Sequence, residues 1–430
     1  MSKYLNIMKK ILCLLALCVV LPLKAQHFDQ FFEHKTLRID YVFSGNSEKQ
    51  YISVDGLSSY PQWAGKTKRL SINPLKGNGT IRVKDKQSGE LIYTNSFSSL
   101  FQEWLDTDEA KVTDKAFENT FLVPFPKKEI EISISLYNLS HQRIAKLTHI
   151  VKPNDILIEK KGFEDITPYR ILHKGSVSNP IDVAILAEGY TAAELNKFYV
   201  DAEKAKQSIF NHEPFKSMQG AFNIVAVGSI SKDSGVSIPH QDRWRNTAFK
   251  SHFDTFYSER YLTTRSVKSI HDALAGVPYE HIIILANTNQ YGGGGIYNSY
   301  TLTAAHHVDF GPVVVHEFGH SFGGLADEYF YENDTMNDIY PLDVEPWEPN
   351  ITTLVNFGSK WKNLLKEGTP IPTPISESQN YAVGVYEGGG YSTKGVFRPA
   401  NNCRMRTNTH PEFCPACQAA LKKLIHFYTE

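Results

Sequence analysis

The sequence predicts an α+β chain of two domains, an N-terminal β-sandwich followed by a larger α/β domain. Three observations carry that prediction. At 430 residues the chain is too long for one ordinary core. From about residue 35 to 152, short segments alternate apolar and polar residues with Gly, Asn and Ser between them, which is the grammar of half-buried strands. Beyond about residue 165, buried apolar strands alternate with helical segments, the grammar of an α/β layer with at least partly parallel strands.

The first 25 residues stand apart. Lys3, Lys9 and Lys10 precede the apolar run ILCLLALCVVLPL (11–23), and Ala25 follows at a plausible cleavage point. A charged start, an apolar stretch of this length and a small residue together read as an export signal. The run falls short of the roughly 20 residues a spanning helix needs. Lipid attachment at Cys18 is disfavoured by the bulky Leu17 before it. Removing residues 1–25 takes away four lysines and no acid, moving the net charge from −1 to −5. A nucleic-acid binder usually needs a basic face, so that class is set aside. No later apolar stretch is long enough to span a bilayer, so the mature chain is expected to be exported without an integral membrane segment.

Residues 26–155 form the expected accessory β-sandwich. TLRIDYVF, KQYISVDGL, GTIRVKDKQSGELIYTNSF and EIEISISLYNL supply strands, with a hairpin turning at Ser88-Gly89. No cluster of His, Cys or carboxylates marks a site there, so this part reads as a support, a prodomain-like segment or a binding module. The polar stretch KPNDILIEKKGFEDITPYR (152–170) is the boundary, and the catalytic domain is expected to run from 165 to 430. There IDVAILAEGY is a buried strand ending in Gly. TAAELNKFYVDAEKAKQSIF is a helix with Thr191 and Glu194 as a capping box, and FNIVAVGSI and HIIILANT are further strands.

The chemistry concentrates in VVVHEFGHSFGGLADEYFY (313–331). His316 and His320, four apart on a helix, differ by about 40° in azimuth and lie on one face, so their imidazoles can share a single Zn2+. Glu317 points to the same side and can take a proton from an attacking water and deliver it to the leaving amine. A continuing helix would carry Asp327 about 10 Å beyond His320, out of reach of the same ion. A break at Gly323-Gly324 would let the chain fold back. Gly323 stands at the offset of the glycine in H-E-x-x-H-x-x-G-x-x-H, the metzincin pattern. Ala326 occupies the place of the third histidine there, and Asp327 comes one residue later. Asp327 is the preferred third ligand, Glu328 the alternative, and a distant residue the remaining option. Met405, in the polar stretch NNCRMRTN, is the candidate for a methionine turn beneath the metal. CPACQAALKKLIHFY then reads as the amphipathic last helix.

Cys403, Cys414 and Cys417 form a C-terminal cluster. In an oxidising compartment two of them are expected to pair as a disulfide, and a Cys3His zinc site with His410 is the less favoured reading. YGGGGIYNSYTLTAAHH precedes the helix. Ile296–Thr303 is placed to be a sheet edge that pairs with an extended peptide, the glycines at 292–295 letting it bend; a flexible loop before an internal strand is equally compatible. His306 and His307 read as supporting or surface residues. Tyr329 and Tyr331 are candidate donors to an oxyanion.

HEFGHSFGGLADEY, the later CRM and FCPAC, AILAEGYT and KDSGVSIP (232–239) together resemble the IgA-peptidase-like family of secreted zinc metallopeptidases over about residues 165–428. The β-rich part resembles the accessory domain of some members. The resemblance implies a metzincin-like zinc endopeptidase with one catalytic Zn2+, His316, His320 and Asp327 as ligands and Glu317 as base. It implies a protein or peptide substrate, with host immunoglobulin and glycoproteins among the candidates, and does not by itself assign immunoglobulin A. The competing class is an exported surface binding or adhesion protein whose peptidase domain is degenerate.

Overall fold

The computed structural model describes residues 28–330 and 339–430. The expected export signal and Tyr331 lie outside those residues. After a helical turn, α1 (Phe28–Phe31), come eight strands: β1 (Phe32–Gly45), β2 (Gln50–Tyr60), β3 (Gly79–Asp85), β4 (Leu91–Phe97), β5 (Lys115–Pro126), β6 (Ile130–Tyr137), β7 (Arg143–Val151) and β8 (Glu159–Lys160). They make two four-stranded sheets, ordered β5-β1-β2-β8 and β4-β3-β6-β7. Leu37, Ile39, Tyr41 and Phe43 of β1 alternate inward, as do Ile81 and Val83 of β3 and Ile130, Ile132, Ile134 and Leu136 of β6. The inward faces share one core. Phe97 of one sheet meets Phe121 of the other with ring centroids 4.3 Å apart. The hairpin between β3 and β4 turns as the sequence predicts, with Gly89 at φ +73° donating its N–H to Asp85 O at 2.9 Å. A short helix, α2 (Leu100–Leu105), and the strands β5 and β7 were not anticipated. The boundary stretch is only partly a linker, because β8 pairs in parallel with β2.

The second half is built on a six-stranded sheet of β9 (Tyr169–His173), β10 (Ile181–Glu188), β11 (Phe222–Val227), β12 (His281–Ala286), β13 (Gly293–Ile296) and β14 (Tyr300–Ala304), in the order β13-β14-β12-β10-β11-β9. The four inner strands run parallel and the two edges, β13 and β9, antiparallel. The parallel strands are buried on both faces, which is why they read as apolar runs rather than alternations. Along β10, Val183, Ile185 and Ala187 face α3 (Leu195–Phe210), α5 (Phe310–Ser321) and α6 (Pro415–Thr429), while Ala184 and Leu186 join the core shared with the N-terminal sheets. The capping box of Thr191 and Glu194 closes a 3-10 turn that leads into α3. A hairpin of β15 (Tyr386–Gly389) and β16 (Ser392–Arg398) precedes α6.

The first half is docked on the second through buried polar contacts. Arg38 donates to Asp272 at 2.6 Å, a carboxylate on α4 (Val267–Ala273). Tyr60 donates to His271 O at 2.8 Å, and Asn298, in the β13–β14 turn, donates to Ser96 O at 2.8 Å. Tyr261 donates to Glu103 of α2. The N-terminal part thus braces the sheet edge that borders the histidine helix.

The order of strands decides between the two readings of Ile296–Thr303 in favour of an internal strand, and it replaces the expected loop before it with a strand. Tyr300–Ala304 is an inner strand, and the edge is the glycine segment itself, β13. Tyr261 forms a bridge to Gly293 on its outer side.

Candidate metal centre

Helix α5 carries Val313, Val314, Val315 and Phe318 into the core and leaves His316, Glu317 and His320 on its half-buried face. The helix ends at Ser321 with Phe322 as its C-cap, and the chain then reverses. Gly324 adopts φ +58°, a left-handed conformation that an L side chain resists. Leu325 N–H reaches back to Gly319 O at 3.1 Å. Gly324, rather than Gly323, makes the break. Gly323 serves a different purpose: a Cβ there would lie 2.7 Å from the backbone Gly319 O, as well as 2.5 Å from Leu421 Cδ2 of the last helix.

The reversal brings Asp327 back to the helix it left. Asp327 Oδ1 lies 3.0 Å from His316 Nε2 and 3.3 Å from His320 Nε2, and the two Nε2 atoms are 3.0 Å apart. Each ring's other nitrogen is already committed. His316 Nδ1 donates to Arg404 O at 3.0 Å, and His320 Nδ1 to Leu325 O at 2.6 Å. Those bonds fix the tautomer, so each neutral ring presents an Nε2 lone pair to the same point as a carboxylate oxygen. Asp327 is buried, its Oδ1 takes no hydrogen bond, and its Oδ2 accepts from Tyr391. Three acceptors at this spacing repel one another unless positive charge sits among them. The donor set, two imidazoles and one carboxylate, suits a divalent metal ion of the zinc type. The residues present therefore fit the ion that the H-E-x-x-H pattern implies.

Proton affinities record the same crowding. Burial works against charge on both rings, but the Asp327 carboxylate overrides it, raising His316 and taking His320 up to about 9. Burial also works against the Asp327 anion, yet the imidazoles hold it well below the usual carboxylate range. Protons and a metal ion would compete for these lone pairs. Burial pushes Glu317 up, with the two imidazoles pulling the other way. A carboxylate raised in this way is better matched to proton transfer near neutrality than an exposed one.

The site is walled by elements from three parts of the chain. On one side β13 crosses the helix so closely that a Cβ on Gly295 would lie 2.3 Å from Glu317 O, and one on Gly293 would lie 3.2 Å from the Glu317 carboxylate. Beneath, Met405 is fully buried in the turn before α6, its Sδ only 2.7 Å from where a Cβ on Gly319 would be. Met405 O accepts Glu328 N–H at 2.8 Å, so the turn is tied to the returning segment. Tyr329 packs edge-on against Tyr391 with centroids 5.3 Å apart, and Tyr391 N–H donates to Tyr329 O at 3.0 Å.

Glu328 does not share the histidines' point. Its carboxylate faces Asn350, at 2.9 Å, and Cys417, at 3.1 Å. Cys403, Cys414 and Cys417 do cluster, and they converge as thiols. His410 turns away to Glu412 O. His306 pairs with Asp201 of α3 at 2.7 Å, and His307 accepts the Asp309 N–H at the start of α5. Tyr391 and the carbonyls of Arg404 and Leu325 carry no signal in the sequence. Two of these are backbone atoms, and Tyr391 lies in a glycine-flanked turn that carries no motif.

Comparison with known families agrees with this layout. The model of the IgA peptidase M64 family matches residues 170–382 and 377–425, and the model of the peptidase M64 N-terminus matches residues 27–148. The chain belongs to the IgA peptidase M64 family, with that family's N-terminal domain, and is therefore a peptidase. A search of curated proteins finds no match. Among the described residues, no helix is long and apolar enough to cross a membrane.

Proposed function

We propose that this chain is a secreted zinc-dependent endopeptidase that hydrolyses peptide bonds of extracellular proteins. The reading rests on one observation above others: the convergence of His316 Nε2, His320 Nε2 and the hydrogen-bond-free Asp327 Oδ1 within 3.3 Å of one another. These three residues would hold the ion. Held there, a zinc ion would supply Lewis acidity for the scissile carbonyl and would lower the pKa of water towards 7. Glu317, beside them and beneath β13, takes the proton of the attacking water and returns it to the leaving amine. The glycines of β13 keep side chains away from Glu317, leaving room for the peptide backbone at the rim. Tyr391 is a positioning residue, holding the Asp327 carboxylate in place. Tyr329 is the oxyanion candidate that belongs to the same wall.

We read the two N-terminal sheets as an accessory β-sandwich spanning residues 26–155. The α/β half, 165–430, is read as a metzincin-like domain with Met405 in the methionine turn. The rival reading, an exported binding protein with a degenerate peptidase domain, is disfavoured by the intact set of His316, Glu317, His320 and Asp327. A casein digest with the purified chain separates the two. The proposal expects cleavage that a chelator abolishes and that Glu317→Ala loses while its metal content stays at the wild-type level. Cleavage unaffected by both the chelator and the substitution would refute it.

A further inference from the structure

Behind Asp327 the fold gathers a second set of ligand atoms. Glu328, Cys403, Cys414 and Cys417 are all buried and each offers one atom, the four lying within 4.8 Å of one another. Cys403 comes from the turn that carries Met405, Cys414 caps α6, Cys417 lies in its first turn, and Glu328 enters from the segment that returns past the histidines. Cys403 Sγ and Cys417 Sγ are 3.8 Å apart, Cys417 Sγ is 3.1 Å from Glu328 Oε1, and Cys414 N–H points to Cys403 Sγ at 3.2 Å. With metal–sulfur bonds of about 2.3 Å, tetrahedral coordination sets neighbouring sulfurs about 3.8 Å apart. The Cys403–Cys417 distance is that of two sulfurs on one centre, and Cys414 and Glu328 lie within reach of the same point.

A second observation points the same way. Glu328 is fully buried, and its Oε2 takes no hydrogen bond. Leaving such an oxygen without a partner is costly. Arg398 acts on the carboxylate through space, but only its Nη1 donates, to Glu387 O and Gly388 O, and its buried Nε and Nη2 make no hydrogen bond to Glu328 or to any other group. A disulfide would consume two sulfurs and leave an odd thiol buried against that carboxylate. A metal ion uses all four groups, and a thiolate-rich set selects a soft ion such as zinc over magnesium or calcium.

We propose that Glu328, Cys403, Cys414 and Cys417 form a second zinc site, structural and closed to solvent. It fastens three elements that the catalytic centre depends on. The Cys403 turn supplies Arg404 O to His316 and Met405 O to Glu328 N–H, α6 supports that turn, and Glu328 adjoins Asp327. One ion therefore locks the floor of the site to the segment bearing its carboxylate.

The test counts metal in the full chain by elemental mass spectrometry after zinc loading and dialysis. Two zinc ions per chain are expected, with one retained by the His316→Ala/His320→Ala variant. Loaded with cobalt, that variant should still show thiolate-to-cobalt charge transfer, an absorption that imidazole and carboxylate ligands cannot produce. Cys403→Ser/Cys417→Ser should lose the band. Should that variant fail to fold, the wild type and the histidine variant still decide the matter. A single zinc in the wild type, none in the histidine variant and no charge-transfer band would overturn the proposal. So would an intact mass showing two of the three cysteines oxidised to a disulfide in the folded chain. Failure of the catalytic assignment looks different: wild type and histidine variant would each hold one ion, both bound through thiolate.

Discussion

Substituting Gly295 by alanine tests how the edge strand and the histidine helix together form the site. A Cβ at this position falls 2.3 Å from Glu317 O and 2.9 Å from His320 Cβ. The first contact is with backbone, which no rotamer change relieves, and it is about 1 Å short of ordinary van der Waals separation. The strand or the helix must therefore move by about that distance. Overpacking of this kind costs about 1–3 kcal/mol, for a melting temperature lower by roughly 2–10 °C. A displacement of about 1 Å at positioning groups is worth about 100-fold in rate. We therefore expect Gly295→Ala to remain folded and to lose roughly 100-fold in kcat/KM, measured on a fluorogenic peptide taken from the casein digest. Gly358→Ala is the control, since a Cβ there meets nothing within 4 Å. If Gly295→Ala retains kcat/KM within about threefold of wild type, the close crossing of β13 over the helix does not shape the site, and the reasoning fails.

Other consequences can be checked separately. Tyr391→Phe removes the hydroxyl that donates to Asp327, and groups supporting a metal ligand in this way are typically worth about 10–100-fold in affinity. Zinc competition against a chromophoric chelator should show that loss with the circular dichroism unchanged; wild-type affinity would remove Tyr391 from its positioning role. His281 is buried between Phe322 and Tyr428, its Nε2 has no hydrogen bond, and burial pushes it down to about 3. Because the unfolded chain takes up this proton first, the stability is present above about pH 6.5 and is lost as the pH falls towards 3, at about 1.4 kcal/mol per unit. In urea unfolding, His281→Phe should gain on wild type by about 2 kcal/mol between pH 6.5 and 5, whereas a pH-independent difference would contradict the assignment.

What could be read in the sequence follows from how local each determinant is. The His316–Glu317–His320 face needs only helical periodicity, and the Thr191–Glu194 box only a four-residue span, so both were legible. The return of Asp327 was legible as a choice, since a glycine pair announces a break but not its dihedral angles. Which neighbour reaches the histidines depends on Gly324 taking the left-handed turn and on Asn350 and Cys417 engaging Glu328. Strand β13 does not read as a strand in the sequence because three of its four residues are glycine. Glycine has poor strand propensity, and its value here, close approach to α5, exists only in three dimensions. Strand β7, RIAKLTHIV, offers alternation blurred by charge, and it is recognised by its partner β6 rather than by itself. The carbonyls that orient the two imidazoles have no side-chain signature at all. The cysteines were visible as a cluster, but their fourth partner, Glu328, lies 75 residues before Cys403 in the chain.

The central claim is that His316, His320 and Asp327 share one zinc ion. Crystals of the zinc-loaded protein, with anomalous data collected on either side of the zinc absorption edge, examine it most directly. An anomalous peak bonded to Nε2 of both histidines and to a carboxylate oxygen of Asp327 is expected. Density at the histidines without such a peak, or a peak there completed by a residue other than Asp327, would contradict it.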